Sequence, residues 1–200
     1  MNSTTTDQTL EYYDKNADAF TSSTQTLEFC ETQNVFLKCL PLRASILDFG
    51  CGAGRDTKYF QEHGYQVTAV DGSAELCRAA SEYTGIPVKQ MLFQDLDCKE
   101  CYDGIWACSS ILHLSMDELK SVFIKMCEAL KPEGIVYASF KYGLYEGMRN
   151  GRYFTDMNEQ RIDKLMKELD VFSICRMWIT SDIRPGRGEE KWLNLILQKK

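Results

Sequence analysis

Three glycines at alternate positions, Gly50, Gly52 and Gly54, interrupt an apolar run in Ile46-Leu47-Asp48-Phe49-Gly50-Cys51-Gly52-Ala53-Gly54-Arg55-Asp56-Thr57. Glycine reaches φ > 0 without steric cost and leaves main-chain atoms uncovered. The stretch therefore reads as a strand, a tight turn and a helix start, built to hold a ligand against bare backbone. Acids stand around it. Asp48 lies just before the first glycine, and Asp71 follows the last at close to the spacing of about 20 residues at which an acid takes hydrogen bonds from ribose hydroxyls. Asp95 closes a further apolar run. An ionised carboxylate can only accept, so Asp95 suits an exocyclic amine such as that of adenine. An adenosine-containing ligand is the expectation.

Two such ligands compete. A dinucleotide turn has the spacing G-x-G-x-x-G, with the helix N-terminus free to receive pyrophosphate. Here the spacing is G-x-G-x-G, and Arg55 stands where the last dinucleotide glycine would be. Asp48 would face a cationic or amine-bearing group rather than pyrophosphate. S-adenosyl-L-methionine, with a sulfonium and an α-amino group beside an adenosine, matches that charge distribution better than NAD does.

The elements that position these residues follow from periodicity. Leu10, Tyr13, Ala17 and Phe20 have helical spacing over residues 7 to 20, with Asp7 as the N-cap, and a second helix runs from Thr26 until Pro41 stops it. Strands are predicted at Ser45 to Phe49, Gln66 to Val70, Val88 to Phe93, Tyr102 to Cys108 and Ile135 to Phe140. Helices alternate with them at Arg55 to His63, Ala74 to Tyr83 and Met116 to Leu130. Such alternation demands parallel pairing through right-handed crossovers, and so a three-layer α/β sheet. Asp156 is expected to cap a helix through Leu169. Phe172 to Ile179 and Trp192 to Leu197, joined without a helix, should pair antiparallel at the sheet edge. Ligands sit beyond the C-terminal ends of parallel strands. The candidates there are Gly50 to Arg55, Asp71-Gly72, Gln94-Asp95-Leu96, Cys108 to His113 and Lys141-Tyr142.

Composition narrows the setting. The 200 residues, 44% of them hydrophobic, suffice for one domain with a substantial core. No apolar run is long enough to span a bilayer. Met1-Asn2-Ser3-Thr4-Thr5-Thr6-Asp7 has neither a basic start nor an apolar segment of signal type, so a cytoplasmic protein is expected. Nine cysteines, an odd count without a framework, suit a reducing compartment. Cys98 and Cys101 alone have metal or redox spacing, and with only His63 and His113 a four-ligand zinc site is hard to assemble, so no metal is expected. A net charge of −6 disfavours nucleic acid as a partner.

The order and spacing of these segments resemble the class I S-adenosylmethionine-dependent methyltransferases over essentially the whole chain. The resemblance rests on Leu47-Asp48-Phe49-Gly50-Cys51-Gly52-Ala53-Gly54-Arg55, on Val67-Thr68-Ala69-Val70-Asp71, on Tyr102-Asp103-Gly104-Ile105-Trp106-Ala107-Cys108 and on Leu130-Lys131-Pro132-Glu133-Gly134. Gly-Ala-Gly-Arg followed by His63-Gly64-Tyr65 also resembles small bacterial methyltransferases of the tellurite-resistance type. The resemblance implies a Rossmann-like, seven-stranded, mostly parallel sheet with an antiparallel C-terminal strand pair and N-terminal helices. It implies that Gly50, Cys51, Gly52, Gly54 and Arg55 meet the methionine part of the cofactor, Asp71 and Gly72 the ribose, and Asp95 the adenine, with Leu96 and Cys108 lining the cleft. Tyr12, Tyr13 and Phe20 would form a lid. One methyltransferase domain is expected over 1–200, with 1–42 as the helical lid, 43–142 as the cofactor-binding half and 143–200 as the acceptor side.

Methyl transfer from a sulfonium is an in-line displacement, so the main task is to hold the reacting atoms aligned and dry. If the acceptor must lose a proton, His113, just past the fourth strand, is the candidate base. The place after that strand reads Cys108-Ser109-Ser110-Ile111, without the Asn/Asp-Pro-Pro-aromatic turn of nucleic-acid amino-methylating enzymes. A small-molecule acceptor is favoured. Lys141, Tyr142, Arg152 and Arg184, set among aromatics in connections, would receive an anionic one. The alternatives are a methyltransferase acting on RNA or protein, and a non-catalytic module that binds S-adenosylmethionine.

Overall fold

The structure, a computed structural model, describes residues 4–200; Met1, Asn2 and Ser3, part of the N-terminal segment read above, lie outside the described residues. Helix α1 (Thr5–Lys15) starts at Thr4, whose hydroxyl accepts from the Asp7 N–H at 3.1 Å while the Asp7 carboxylate accepts from the Thr4 N–H at 2.9 Å. Asp7 is thus the third-position partner of a capping box rather than the N-cap. The helix does not continue to Phe20. Asn16 leaves helical geometry, its side chain donating to the Tyr12 carbonyl at 2.7 Å, and α2 (Ala17–Thr24) starts afresh at an angle set there. Helix α3 is Cys30–Leu37, shorter than its apolar run.

A seven-stranded sheet follows. Its strands are β1 (Ser45–Phe49), β2 (Gln66–Asp71), β3 (Lys89–Gln90), β4 (Tyr102–Ala107) and β5 (Leu130–Lys141), completed by β8 (Phe172–Ser181) and β9 (Lys191–Lys199). The spatial order is β3-β2-β1-β4-β5-β9-β8, with β9 antiparallel to both of its neighbours and the rest parallel. The order reverses between β1 and β4, which opens a crevice at their C-terminal ends.

Side chains alternate across the strands. Leu47, Phe49, Ile105, Val136 and Leu195 pack on one face with Val122 and Phe123 of α6 (Met116–Ala129) and with Ile162 and Leu165 of α7 (Glu159–Leu169). Ile46, Trp106, Tyr137 and Ile196 pack on the other with Phe36 of α3 and Phe60 of α4 (Arg55–Glu62). Helix α5 (Ala74–Thr84) covers the β2 edge through Ala80, which packs with Ala69 and Cys51.

Three details depart from the sequence reading. The third strand keeps only two paired residues, because after Gln90 the chain turns into a single 3-10 turn, Phe93–Asp95, that brings Leu92 and Phe93 to the crevice. Helix α7 is capped by Asn158, which accepts from the Arg161 N–H at 2.9 Å, while Asp156 is buried and pairs with Arg149 at 2.6 Å. The stretch of cations and aromatics around residue 150 forms a hairpin, β6 (Glu146–Arg149) and β7 (Arg152–Thr155). Its turn residues Asn150 and Gly151 both have positive φ, as a tight hairpin turn requires.

Candidate functional site

The crevice holds a cavity of about 220 Å³ whose floor is the glycine turn. Gly50 has φ of 85° and its N–H donates to the Val70 carbonyl at 2.9 Å. A Cβ added there would lie 2.4 Å from the Ser110 Cβ, so the position admits only glycine. Gly52, at φ 57°, donates its N–H to Asp71 Oδ2 at 2.8 Å, and its missing Cβ leaves the gap beneath the Phe20 ring. Asp71 Oδ1 accepts from the Ser73 N–H at 2.9 Å. Burial holds the Asp71 carboxyl above its usual range, and these backbone donors offset part of that rise. The result is an acceptor group fixed at the end of β2 against the cavity. A backbone cradle that a Cβ would fill, a held carboxylate for hydroxyls, and an apolar shelf at Met91, Leu92 and Phe93 fit an adenosine-bearing sulfonium.

Gly50, Cys51, Gly52, Arg55, Asp71, Gly72, Cys108, Tyr13, Phe20 and His113 all line this cavity. Four other residues expected there do not. Asp48 is 2% exposed and accepts from the Thr57 hydroxyl at 2.5 Å, because it shares with Ile46 the sheet face that α4 covers. Burial first, and then the neighbouring Asp56, raises its pKa to about 8, so it is a neutral acid behind the turn. Gly54 serves packing: a Cβ there would meet Thr84 and Ala80 of α5 at 2.9 and 3.2 Å. Asp95 is exposed, and Leu96 is in the core beside α6, since the 3-10 turn directs Phe93 and Gln94 to the cavity instead.

Arg55 lines the cavity at the start of α4. It forms a two-pronged ion pair with Asp56 at 2.7 and 2.9 Å and lies over the Phe29 ring at 4.5 Å. Asp56 also accepts from Trp106 Nε1 at 2.8 Å and from Gln33 at 2.7 Å, which fixes the arginine in place. Burial pushes the Cys108 thiol up to about 12 and that of Cys51 well above its usual value, so both are inert small side chains.

The N-terminal helices roof the cavity. Leu10 packs on Gly72, where a Cβ would be 2.6 Å away, and Asp14 accepts from the Ser73 hydroxyl at 2.5 Å. Gln25 donates to the Ala53 carbonyl at 2.9 Å, while on the opposite side Thr9 accepts from the Tyr153 N–H at 3.0 Å. Tyr13 sits between, edge-on to Phe20 and to His113. His113 Nδ1 faces the Tyr153 carbonyl at 2.6 Å, a contact that only an N–H can make. The proton is thereby assigned to Nδ1, and Nε2 accepts from the Tyr13 hydroxyl at 2.9 Å. Burial lowers the His113 pKa to about 4, helped by Arg152. At neutral pH the ring is neutral.

The far wall is charged. Lys141, Arg152, Arg184 and Arg187 line it, and Lys141 lies over the Trp192 ring at 4.7 Å while pairing with Glu190. Burial first, then Arg187, lowers the Lys141 pKa to about 8. Arg184 grips Asp182, with Nε to Oδ1 at 2.9 Å; burial raises the Asp182 carboxyl, but the Arg184 bonds dominate and hold it at about 2. Arg187 pairs with Glu190. Tyr142 turns away, exposed, to donate to Glu159 at 3.0 Å. Asp182, Ser139 and Asn194 belong to the wall and are absent from the sequence reading. Asn194 had a signal, as the one polar residue within Trp192-Leu193-Asn194-Leu195-Ile196-Leu197; buried, it accepts from the Tyr137 hydroxyl at 2.7 Å.

The sheet order, the glycine turn after β1 and the acid that ends β2 define the class: this is the fold of the class I S-adenosylmethionine-dependent methyltransferases. Residues 46–134 match the model of the family described as methyltransferase domain. The chain is 29% identical over 140 residues to the malonyl-[acyl-carrier protein] O-methyltransferase of Salmonella typhimurium, a match covering 68% of this chain and 54% of the relative. It spans about half the length of the curated relatives it matches. Among solved structures it is similar to the 1,6-didemethyltoxoflavin-N1-methyltransferase of Burkholderia thailandensis, which was crystallised with 1,6-didemethyltoxoflavin and S-adenosylhomocysteine. The TM-score is 0.76 at 22% identity, over 96% of this chain and 85% of that one. It is also similar to TehB from Haemophilus influenzae, with TM-score 0.71 and 18% identity over 92% and 67% of the two chains. At these identities the structural likeness is one of fold.

Proposed function

We propose that this protein is a methyltransferase that uses S-adenosyl-L-methionine and acts on a small-molecule, anionic acceptor. The observation that carries the reading is the clamp between the Gly52 N–H and Asp71, at the mouth of a turn where no Cβ fits. S-adenosyl-L-methionine supplies an electrophilic methyl group on a sulfonium. The chain's own residues bind and orient. Gly50, Cys51 and Gly52 offer uncovered backbone, Asp71 accepts from ribose hydroxyls beside Gly72, and Phe93 offers a face to a base. Tyr13 and Phe20 close the roof and exclude water. Cys108 and Arg55 shape the floor without reacting.

His113 is the proton acceptor where the acceptor must lose one. Its Nε2 already takes the Tyr13 hydroxyl proton as a hydrogen bond, so a proton leaving the acceptor reaches the imidazole through Tyr13 Oη. Residues 4–42 act as the lid, 43–142 hold the cofactor, and 143–200 face the acceptor, with Lys141 and Arg152 on its anionic side. The nine free thiols suit a reducing compartment, which favours the cytoplasm.

The test has two stages. Calorimetric titration should give binding of S-adenosylhomocysteine and none of NAD; the reverse sinks the reading. Incubation with methyl-labelled cofactor and fractionated extract should then place label in the small-molecule fraction. Label in RNA or protein, or in no fraction, would reject the acceptor class.

A further inference from the structure

Four arginines line the cavity, and three of them are already paired. Arg55 is held by Asp56, Arg184 by Asp182 and Arg187 by Glu190. Arg152 differs: among the described residues it makes no ion pair, and its one hydrogen bond is a long one, from Nη1 to the Tyr13 hydroxyl at 3.4 Å. Its Nε is buried with no acceptor. An unsatisfied buried donor is costly, more so when charged, so the side chain is held in a position its own protein does not satisfy. Rings crowd it. Its guanidinium carbon lies over Tyr12 at 4.3 Å, Phe154 at 5.1 Å and Tyr13 at 5.6 Å. With faces occupied by rings, an anion must approach along the guanidinium edge, where a planar carboxylate meets two parallel N–H groups.

We propose that Arg152 is the anchor for a single carboxylate on the methyl acceptor, and that Lys141, Arg184 and Arg187, which share Asp182 and Glu190, form a paired frame around it. The proposal rests on the methyltransferase reading and narrows its acceptor to monocarboxylates, held beside Tyr13 and His113. Arg152 is the one arginine of the cavity without an acid partner among the described residues, and its planar edge matches the two oxygens of a carboxylate. The neutral imidazole of His113 and the Tyr13 hydroxyl flank the same spot, so the anchor also sets which acceptor atom reaches them.

The experiment is calorimetric titration of the full chain, saturated with S-adenosylhomocysteine, with benzoate and with its uncharged counterpart benzamide. Benzoate should bind at least about tenfold more tightly than benzamide, a difference of about 1.4 kcal/mol. Arg152→Gln should erase that preference and Arg152→Lys should retain part of it, while Arg78→Gln, on the exposed face of α5 outside the cavity, should leave it unchanged. Circular dichroism melts confirm that each variant is folded. Equal binding of both probes to the unmodified chain, or a preference that survives Arg152→Gln, overturns the proposal. So does an Arg152→Gln chain that binds S-adenosylhomocysteine more weakly but 5′-methylthioadenosine, which lacks the amino-acid end, unchanged. That result gives the arginine to the carboxylate of the cofactor. If S-adenosylhomocysteine does not bind at all, the function proposed above fails, and titration of benzoate into the chain alone still decides the anion site.

Discussion

Between β1 and α4 the cavity wall is main chain: N–H groups and glycine Cα atoms, with Asp71 held there by backbone donors. Across the cavity, at the ends of β5 and β7 and in the connection 182–190, the wall is side chain: long cations, the acids that pair with them, and the Trp192 ring. The first wall is set within one turn and its helix start, so its geometry admits almost no substitution. The second is assembled from elements far apart in sequence, and each pair in it is adjustable. Rigidity belongs with the part of the ligand that never changes, and adjustability with the part that sets specificity.

This contrast can be broken at its strongest point. Gly50→Ala places a non-glycine residue at φ 85° and a Cβ 2.4 Å from Ser110. Backbone strain alone costs about 1–3 kcal/mol, and the clash adds to it. The expected outcome is loss of S-adenosylhomocysteine binding together with a clear drop in the denaturant midpoint; near-normal binding would show that the turn is not the floor of the site. Asp71→Asn keeps the shape but turns an amide donor toward one of two N–H groups. Affinity for S-adenosylhomocysteine should fall by about tenfold to a hundredfold, in line with the loss of charged hydrogen bonds of about 1.5–3 kcal/mol.

Titration separates roof from floor by sign. His113 has its pKa lowered from 6.5 to about 4, so on acidification the unfolded chain takes the proton first. Its contribution is complete above pH 6.5 and is lost as pH falls toward 4, about 3 kcal/mol in all. Asp48 runs the other way: with its pKa raised to about 8, the folded chain keeps a proton that the unfolded one releases, and stability falls as pH rises from 4 to 8. His113→Gln should therefore flatten the acid limb of the stability profile and Asp48→Asn the neutral limb, as read by urea denaturation at stepped pH. Matching slopes in the two variants would contradict the assignment. The smallest effect on stability is expected at Arg184→Gln. Asp182 keeps the Arg184 N–H and Trp192 Nε1 as donors but is buried and loses its guanidinium partner, so a loss of about 2 kcal/mol follows, that of a hydrogen bond to a charged group.

The same contrast explains what could be read from the sequence. The alternation of strands with helices and the glycine turn were legible because periodicity and backbone-special residues are local signals. Gly50, Gly52 and Asp71 accordingly fall on the cavity. Asp48 and Gly54 belong to the same motif but face neighbouring helices, a matter of side-chain direction that spacing does not encode. Asp95 and Leu96 were displaced by the early end of β3, where a two-residue strand gives way to a 3-10 turn. Tyr142 and Arg152 both stand among cations and aromatics in the sequence. Only the fold shows that one reaches Glu159 outside and the other turns inward beneath Tyr12. The hairpin β6-β7 was hidden because its strands are four residues each and largely polar, although Asn150-Gly151 is a legible turn signal.

Each wall also carries its own optical reporter. Trp106 is fully buried, stacked on Tyr137 at 3.9 Å, with its indole N–H on the Asp56 that fixes Arg55 at the start of α4. Trp192 lies across the cavity under the Lys141 ammonium. A sealed indole next to a carboxylate and a half-exposed one next to a cation emit at different wavelengths and are quenched differently. Intrinsic fluorescence in a Trp178→Phe background, which removes the third indole, with Trp192→Phe as the subtraction, can therefore follow events at one wall separately from those at the other.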